Sequence, residues 1–141
     1  MTEYLLDTNT CIEIIRGSNA AVLHFFRQAI GSRDKLVLSS VVEFELVYGV
    51  TNSDRSRRDE NFARLNIFLS YPFERLPFST EDGVKAAEIR AYLKRLGTPI
   101  GAYDLLIAGQ AVANGFAVVT DNVKEFSRVA NLKWLNWNTI L

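Results

Sequence analysis

The chain contains one cysteine, one histidine and no excess of charge of either sign, and each of these shortages excludes a class of protein. Cys11 has no partner for an internal disulfide, which fits the reducing environment of the cytoplasm. Because Cys11 and His24 are each alone of their type, zinc bound by thiolate and imidazole ligands is not expected. Lys and Arg together number 16, as do Asp and Glu, and this balance argues against a protein that coats nucleic acid non-specifically.

Long apolar runs are also absent from the sequence. No stretch approaches the ~20 apolar residues that a transmembrane helix needs. The start of the chain offers no basic segment before an apolar run, as a signal peptide would. We therefore expect a cytoplasmic protein with no membrane partner. A length of 141 residues, 48% of them hydrophobic, suits one compact domain over 1–141.

Strand and helix patterns alternate along the chain. Short apolar runs predict strands at 3–6, 35–38, 73–76, 116–120 and 133–136. Helical spacing and cap residues predict helices that end at Gly17, open at Asn19, and then cover 40–50, 62–69, 79–97, 101–115 and 122–127, with a turn at 51–59. This order favours an α/β fold, a three-layer α/β/α sandwich with a mainly parallel sheet, in which ligands bind beyond the carboxyl ends of the strands.

Four acidic residues occupy positions to which that rule points. Asp7 follows the first strand and Asp121 follows the fourth, so both carboxylates leave the sheet at one edge if these strands are central and parallel. Glu45 lies in the helix after the second strand, and Asp104 lies in the first turn of the helix that Gly101 opens. The four residues are far apart in sequence but could converge at this edge.

Two of these acids have a structural interpretation within their own helices. Asp7 could cap the first helix, although Thr10 and Glu13 could form a capping box there without it. Asp104 could complement the dipole of its helix. The neighbours of Asp104 make that helix largely apolar, however, and a charge in such surroundings needs a partner.

The other two acids have competing neighbours. Asp121 could cap the short helix after it, although Asn122 and the glutamate three residues further on form a better capping box. Glu43 fits the third position of a helix capped by Ser40, which would explain it structurally. Glu45 has no such explanation among its apolar neighbours. We therefore assign the functional role to Glu45 and leave open whether Glu43 assists it.

Carboxylates gathered in one cleft repel one another. A pair about 4 Å apart costs about 4 kcal/mol at an effective dielectric constant near 20, so such a cluster holds protons or binds cations. Oxygen ligands select hard ions, which predicts one or two Mg²⁺ or Mn²⁺ ions bound by the four acids. Metal-activated water would then hydrolyse a phosphodiester and leave a 5′-phosphate and a 3′-hydroxyl. No histidine base is needed, and His24 is assigned a packing or surface role.

Four sequence runs resemble the PIN-domain family, with the closest likeness to VapC-type toxin ribonucleases of bacterial toxin–antitoxin pairs. They occur in the family's order over nearly the whole chain, and together they are far more specific than any one of them alone. The runs are 5–9 (LLDTN), 39–49 (SSVVEFELVYG), 99–108 (PIGAYDLLIA) and 118–122 (VVTDN).

The resemblance implies a Mg²⁺- or Mn²⁺-dependent endoribonuclease that cuts structured RNA of the tRNA or rRNA class. It also implies a homodimer and inhibition by a cognate antitoxin protein. The catalytic, metal-binding acids of the family's motif match Asp7, Glu45, Asp104 and Asp121. The side chains that look like the groups orienting these acids are Thr8, Asn9, Thr120 and Asn122.

A basic run, Arg55, Arg57 and Arg58, lies between two predicted helices. It is either a solvated turn or a contact for RNA phosphates at the edge of the cleft. Two rival functions stay open, namely a catalytically inert scaffold that binds RNA or protein, and a phosphatase of the haloacid-dehalogenase type. The phosphatase family requires a second aspartate two residues after the first, where this chain has Asn9.

Overall fold

A parallel sheet forms the centre of the structure, a computed structural model that describes residues 1–138. Its strands are β1 (Glu3–Leu6), β2 (Lys35–Ser39), β3 (Phe73–Leu76), β4 (Ala117–Val119) and β5 (Lys133–Leu135). They lie in the order β3-β2-β1-β4-β5, and each neighbouring pair is parallel. The predicted parallel sheet is thus confirmed, although β4 and β5 are shorter than the apolar runs that predicted them.

Helices connect these strands. They are α1 (Thr8–Arg16), α2 (Ala20–Ile30), α3 (Ser40–Thr51), α4 (Arg58–Leu69), α5 (Thr80–Arg95), α6 (Ala102–Asn114) and α7 (Val123–Phe126). The segment 51–59, predicted as a turn, contains a short 3-10 helix (Arg55–Arg57) and the start of α4. Among residues 1–138, no helix combines the length and the apolar character that crossing a bilayer would require.

Consecutive side chains of the central strands are buried, although they point to opposite faces of the sheet. Leu5 and Leu6 of β1 are fully buried, as are Val118 and Val119 of β4. Both faces are therefore covered, as predicted for an α/β/α sandwich. The register of β1 and β4 brings their carboxyl ends together, because Leu6 pairs with Val119. We call this side of the sheet the carboxyl edge.

Candidate active site

Asp7 is the first residue beyond β1 at the carboxyl edge. Its backbone N–H donates to the carbonyl of Val119 at 3.1 Å, and its carboxylate caps α1 by accepting from the backbone N–H of Thr10 at 2.8 Å. The predicted capping box of Thr10 and Glu13 is therefore wrong, because the strand runs straight into a helix that begins at Thr8. The Thr10 hydroxyl instead donates to the carbonyl of Val119 at 3.1 Å.

The cap holds a carboxylate that is almost inaccessible to solvent. Asp7 is 2% exposed, and this burial raises the pKa of its carboxyl, against the opposing effect of hydrogen bonds with Thr120 and Thr10. The negative charge of Asp121 raises this pKa further. Asp7 therefore caps α1 and lies at the same time within hydrogen-bond reach of Thr120, beyond the end of β4.

Glu45 approaches the same edge from α3. The hydroxyl of Thr8, in the first turn of α1, donates to Oε1 of Glu45 at 2.6 Å, so the residue after Asp7 orients a second acid. Thr8 therefore holds the carboxylate of Glu45. Asn9, the other orienting residue proposed near Asp7, is exposed.

Glu43 is bound elsewhere. Ser39, not Ser40, caps α3 by accepting from the backbone N–H of Val41 at 3.1 Å, so the predicted box of Ser40 and Glu43 is wrong. The helix begins one residue earlier than that box requires, and the Ser40 hydroxyl accepts from a backbone N–H after β3. The carboxylate of Glu43 pairs with the guanidinium of Arg75 on β3. Glu43 and Glu45 therefore have different partners, Arg75 and Thr8.

Asp104 reaches the edge from the first turn of α6. Its carboxylate is half-buried, and Oδ2 accepts from the side-chain amide of Asn122 at 3.1 Å. The pKa of Asp104 is raised to about 6, mainly by burial and against the lowering effect of that hydrogen bond, with smaller contributions from the charges of Asp7, Glu125 and Glu45. The partner that the sequence analysis expected for the Asp104 charge is thus the side-chain amide of Asn122. Three further carboxylates act on Asp104 from the same site.

Glu125 also belongs to the site, although the sequence predicted only a helix-capping role for it. Its carboxylate accepts from the backbone N–H of Gly101 at 2.7 Å and from the side-chain amide of Asn122, and these hydrogen bonds lower its pKa. One amide nitrogen thus bridges Glu125 and Asp104. The capping box predicted for Asn122 is wrong, because its side chain makes no cap to the backbone of α7. The feature of the sequence that could have pointed to Glu125 is its spacing of three residues from Asn122.

Asp121 is less closely connected. Its side chain is exposed, and within residues 1–138 its carboxylate forms no hydrogen bond or ion pair. The neighbouring Thr120 is buried and accepts from the backbone N–H of Asn122 at 2.9 Å. Thr120 and Asn122 therefore contact acids of the site, whereas Asp121 lies at the surface beside them.

The carboxylates of the site form no ion pair with basic side chains within residues 1–138, although the charges of Arg128 and Lys124 lower the pKa of Glu125. Across residues 1–138, the ion pairs involve other acids: Glu43, Glu60, Glu74 and Glu88. Oxygen ligands with net negative charge fit a hard divalent cation. In the same range, no three acidic, histidine or cysteine side chains are close enough to form a ready-made metal site. The chemistry of the site thus fits Mg²⁺ or Mn²⁺, and the side chains would have to draw together around an ion.

Only one of the three arginines predicted to contact RNA lines a groove beside the site. Arg57 lines this groove together with Glu45. The guanidinium of Arg58 instead donates to the carbonyl of Ser53 at 3.4 Å. Arg55 is exposed in the 3-10 helix.

Comparisons with known proteins show the family to which the chain belongs. A family model described as PIN domain matches residues 4–132. The tRNA(fMet)-specific endonuclease VapC of Salmonella typhimurium is 36% identical over 137 residues, covering 97% of this chain and 99% of the relative. Ribonuclease VapC2 of Rickettsia felis is 36% identical over 135 residues, covering 96% of this chain and 98% of the relative.

Solved structures show the same likeness. The crystal structure of VapBC2 from Rickettsia felis bound to a DNA fragment from their promoter gives a TM-score of 0.88 at 35% identity, covering 96% of this chain and 99% of that chain. Homologues thus occur in toxin–antitoxin complexes, and PIN-domain nucleases are generally metal-dependent. The chain therefore belongs to the PIN-domain family and, within it, to the VapC-type endoribonuclease toxins of toxin–antitoxin pairs.

Proposed function

We propose that the chain is a Mg²⁺- or Mn²⁺-dependent endoribonuclease that hydrolyses a phosphodiester bond in structured RNA. The observation that carries this proposal is the placement of Asp7, Glu45 and Asp104 at the carboxyl edge, each held by a hydrogen bond from a neighbour. Burial, and to a smaller extent the charges of the other acids, raise the pKa of Asp104 there. An acid cluster that forms no ion pairs is unfavourable unless protons or cations neutralise it. A divalent cation would remove that cost and supply hydrolytic chemistry in the same step.

The ligands proposed for the ion are Asp7, Glu45 and Asp104, with Glu125 as the fourth acid. Each is held by a neighbour: Asp7 by the backbone of α1, Glu45 by the Thr8 hydroxyl, and Asp104 and Glu125 by the Asn122 amide. Such supporting hydrogen bonds fix the direction from which an acid presents its oxygen. When bound, Mg²⁺ or Mn²⁺ would lower the pKa of water and stabilise charge on the phosphate.

Glu125 is proposed before Asp121 for the fourth position. Its carboxylate shares one amide donor with Asp104, whereas Asp121 is exposed and forms no hydrogen bond within the described range 1–138. The charge of Asp121 still reaches Asp7, whose pKa it raises. Asp121 therefore stays in the proposal as an acid that adds negative potential and becomes a ligand only if it turns inward.

The proposed substrate class is tRNA, and initiator tRNA is the first candidate, because the Salmonella relative carries that specificity in its name. The proposed protein partner is a cognate antitoxin, as in the VapBC2 complex. The homodimer expected from the family resemblance stays a prediction, which light scattering of the purified chain would test.

The proposal is tested by incubating the purified chain with initiator tRNA in Mg²⁺, in Mn²⁺ and in excess EDTA. Cleavage should require the metal, and Glu45→Gln should reduce kcat/KM by more than the roughly 10- to 100-fold that follows loss of a group merely supporting a metal ligand. Glu43→Gln is the matched control, since Glu43 lies on the same helix but pairs with Arg75. Its activity should stay close to that of the wild type.

The two rival functions predict different results. A catalytically inert scaffold would cleave no RNA with any metal and would bind no Mn²⁺ in a calorimetric titration. A phosphatase of the haloacid-dehalogenase type would form a phosphoryl-aspartate on Asp7. Cleavage that persists in EDTA, or a fully active Glu45→Gln variant, would contradict the proposed metal-dependent hydrolysis.

A further inference from the structure

A groove of about 490 Å³ lies directly beside the acid cluster, between α1, α3 and the start of α4. Glu45 lines it, so the groove is continuous with the proposed active site. Its basic lining residues come from three separate elements and are Arg16, Arg57 and Arg64. We call it the arginine groove.

Two of these guanidinium groups lack a protein partner in the part of the chain that the structure describes. Arg16 and Arg57 form no side-chain hydrogen bond or ion pair within residues 1–138, whereas Arg64 pairs with Glu60 at 3.0 Å on the surface of α4. The groove is lined by three arginines and by two acids, Glu45 and Asp54, so it carries one net positive charge. The formal net charge of the whole chain is zero. The groove therefore concentrates basic groups beside an acidic site.

Helix electrostatics account for Arg16 but not for Arg57. Arg16 lies in the last turn of α1, where the helix dipole stabilises a cation without help from any ligand. Arg57 occupies the N-cap position of α4 and makes no capping hydrogen bond there. A cation at the positive end of a helix is unfavourable. The acids Asp59 and Glu60 in the first turn of α4 complement the helix dipole, which leaves the exposed Arg57 available for an anion in the groove.

Gly49 keeps the groove open on the side of α3. It lines the groove one helical turn after Glu45, and a Cβ atom built on it would meet no atom within 4 Å outside its own helix backbone. Any larger side chain at this position would therefore enter free space rather than the protein core. The position offers a way to fill the groove without removing a charge.

We propose that the arginine groove binds the RNA backbone next to the bond that is cut, with Arg16 and Arg57 contacting successive phosphates. The inference rests on the proposed nuclease function and adds a defined path for the substrate. Arginine suits this role, because its planar guanidinium matches phosphate oxygens with two parallel hydrogen bonds. A phosphate held in the groove would present the neighbouring phosphodiester to the acids beside Glu45.

The test measures RNA binding by the full chain in Mg²⁺ as a function of salt. The probe is a short fluorescein-labelled single-stranded RNA, bound to an Asp104→Asn background that leaves the probe uncut. Each lost phosphate contact should lower the slope of log affinity against log salt by about 0.7 for a single strand, so Arg16→Gln with Arg57→Gln should lower it by about 1.4. Arg33→Gln is the matched control, because Arg33 is exposed before β2, at the opposite edge of the sheet.

Two further variants keep the proposal falsifiable if the double variant folds poorly. Gly49→Phe should weaken binding of the same probe with both arginines in place, whereas Gly49→Ala should not. In an otherwise wild-type chain, Arg57→Gln should raise KM for initiator tRNA with little change in kcat, and Arg57→Lys should restore most of the loss.

Separate outcomes distinguish the inference from the function on which it rests. If the wild type cleaves tRNA but the arginine variants keep its salt slope and KM, the proposed groove contact is wrong and the nuclease function stands. If those variants lose only inhibition by the antitoxin, the groove is a protein-binding surface and the inference is overturned. If the wild type cleaves no RNA with either metal, the proposed function itself fails.

Discussion

Replacing Asp104 with asparagine should make the protein more stable and at the same time inactive. Burial and the charges of Asp7, Glu125 and Glu45 raise the pKa of this carboxyl from 3.8 to about 6. Asparagine has nearly the same shape and keeps an oxygen that can accept from Asn122. It carries no charge, so it removes the cost of ionising a half-buried acid among other acids.

The pKa difference sets the size and the pH range of this effect. A rise of about two units corresponds to at most about 3 kcal/mol. Because the side chain is only half-buried, solvent screening reduces the expected gain to about 1 kcal/mol. The folded-state pKa is the higher one, so protonated Asp104 contributes its full stability below pH 3.8, and that contribution is lost as the pH rises through about 6. Asp104→Asn should therefore match the wild type near pH ~4 and exceed it at pH ~7.5.

Urea unfolding in EDTA at these two pH values measures the difference, and a gain of about 1 kcal/mol corresponds to roughly 2–4 °C in Tm. Asp121→Asn is the control, since its exposed carboxylate should give little gain. Added Mg²⁺ should raise the Tm of the wild type more than that of Asp104→Asn, because the proposed ion site includes the Asp104 carboxylate and would exist only in the folded state. If Asp104→Asn destabilises the chain equally at both pH values, the argument from charge repulsion is refuted.

Three further substitutions test other parts of the account. Asp7→Asn should abolish cleavage and keep the cap of α1, whereas Asp7→Ala should also lower the free energy of unfolding by about 1 kcal/mol; equal stability of the two variants in urea would contradict the capping role. Glu125→Gln should reduce kcat/KM for tRNA cleavage far more than Asp121→Asn does, and the reverse order would make Asp121 the fourth ligand. Gly109→Ala should lower the free energy of unfolding by about 1–3 kcal/mol, because its Cβ would lie 2.5 Å from that of Ala86; an unchanged urea midpoint would show that α5 and α6 separate easily.

The order of strands and helices was predictable because it depends on local patterns. Apolar runs predicted each strand, and Gly17 and Gly115, which take left-handed backbone conformations, end α1 and α6 as predicted. The rule on strand ends pointed to Asp7 and Asp121, whereas Glu45 and Asp104 lie within helices. Asp7 lies directly beyond β1, and its pKa responds to the charge of Asp121, far away in sequence.

The helix caps could not be predicted from short patterns alone. A serine or threonine followed by an acid three residues later fits a capping box, but the residue that caps a helix is decided by where the preceding strand ends. Asp7 and Ser39 are the last residues before α1 and α3, and each therefore becomes the cap. The patterns beginning at Thr10 and Ser40 lie inside helices that have already started.

The roles of Glu125 and of the arginine groove depend on contacts between distant segments. Glu125 accepts from Gly101, which lies 24 residues earlier, and only the packed structure brings the two together. Arg16 and Arg57 line one groove although a strand and two helices separate them in sequence. A local sequence pattern therefore identified the basic run but not which of its members faces the site.

The most direct test of the central claim is cleavage of initiator tRNA in water enriched in ¹⁸O, with Mg²⁺ or Mn²⁺ present. If the acids prepare water for attack, the label should appear in the 5′-phosphate of one product, and the other product should end in a 3′-hydroxyl. A 2′,3′-cyclic phosphate, or a 5′ end without the label, would show that the ribose hydroxyl attacks instead and would contradict the account.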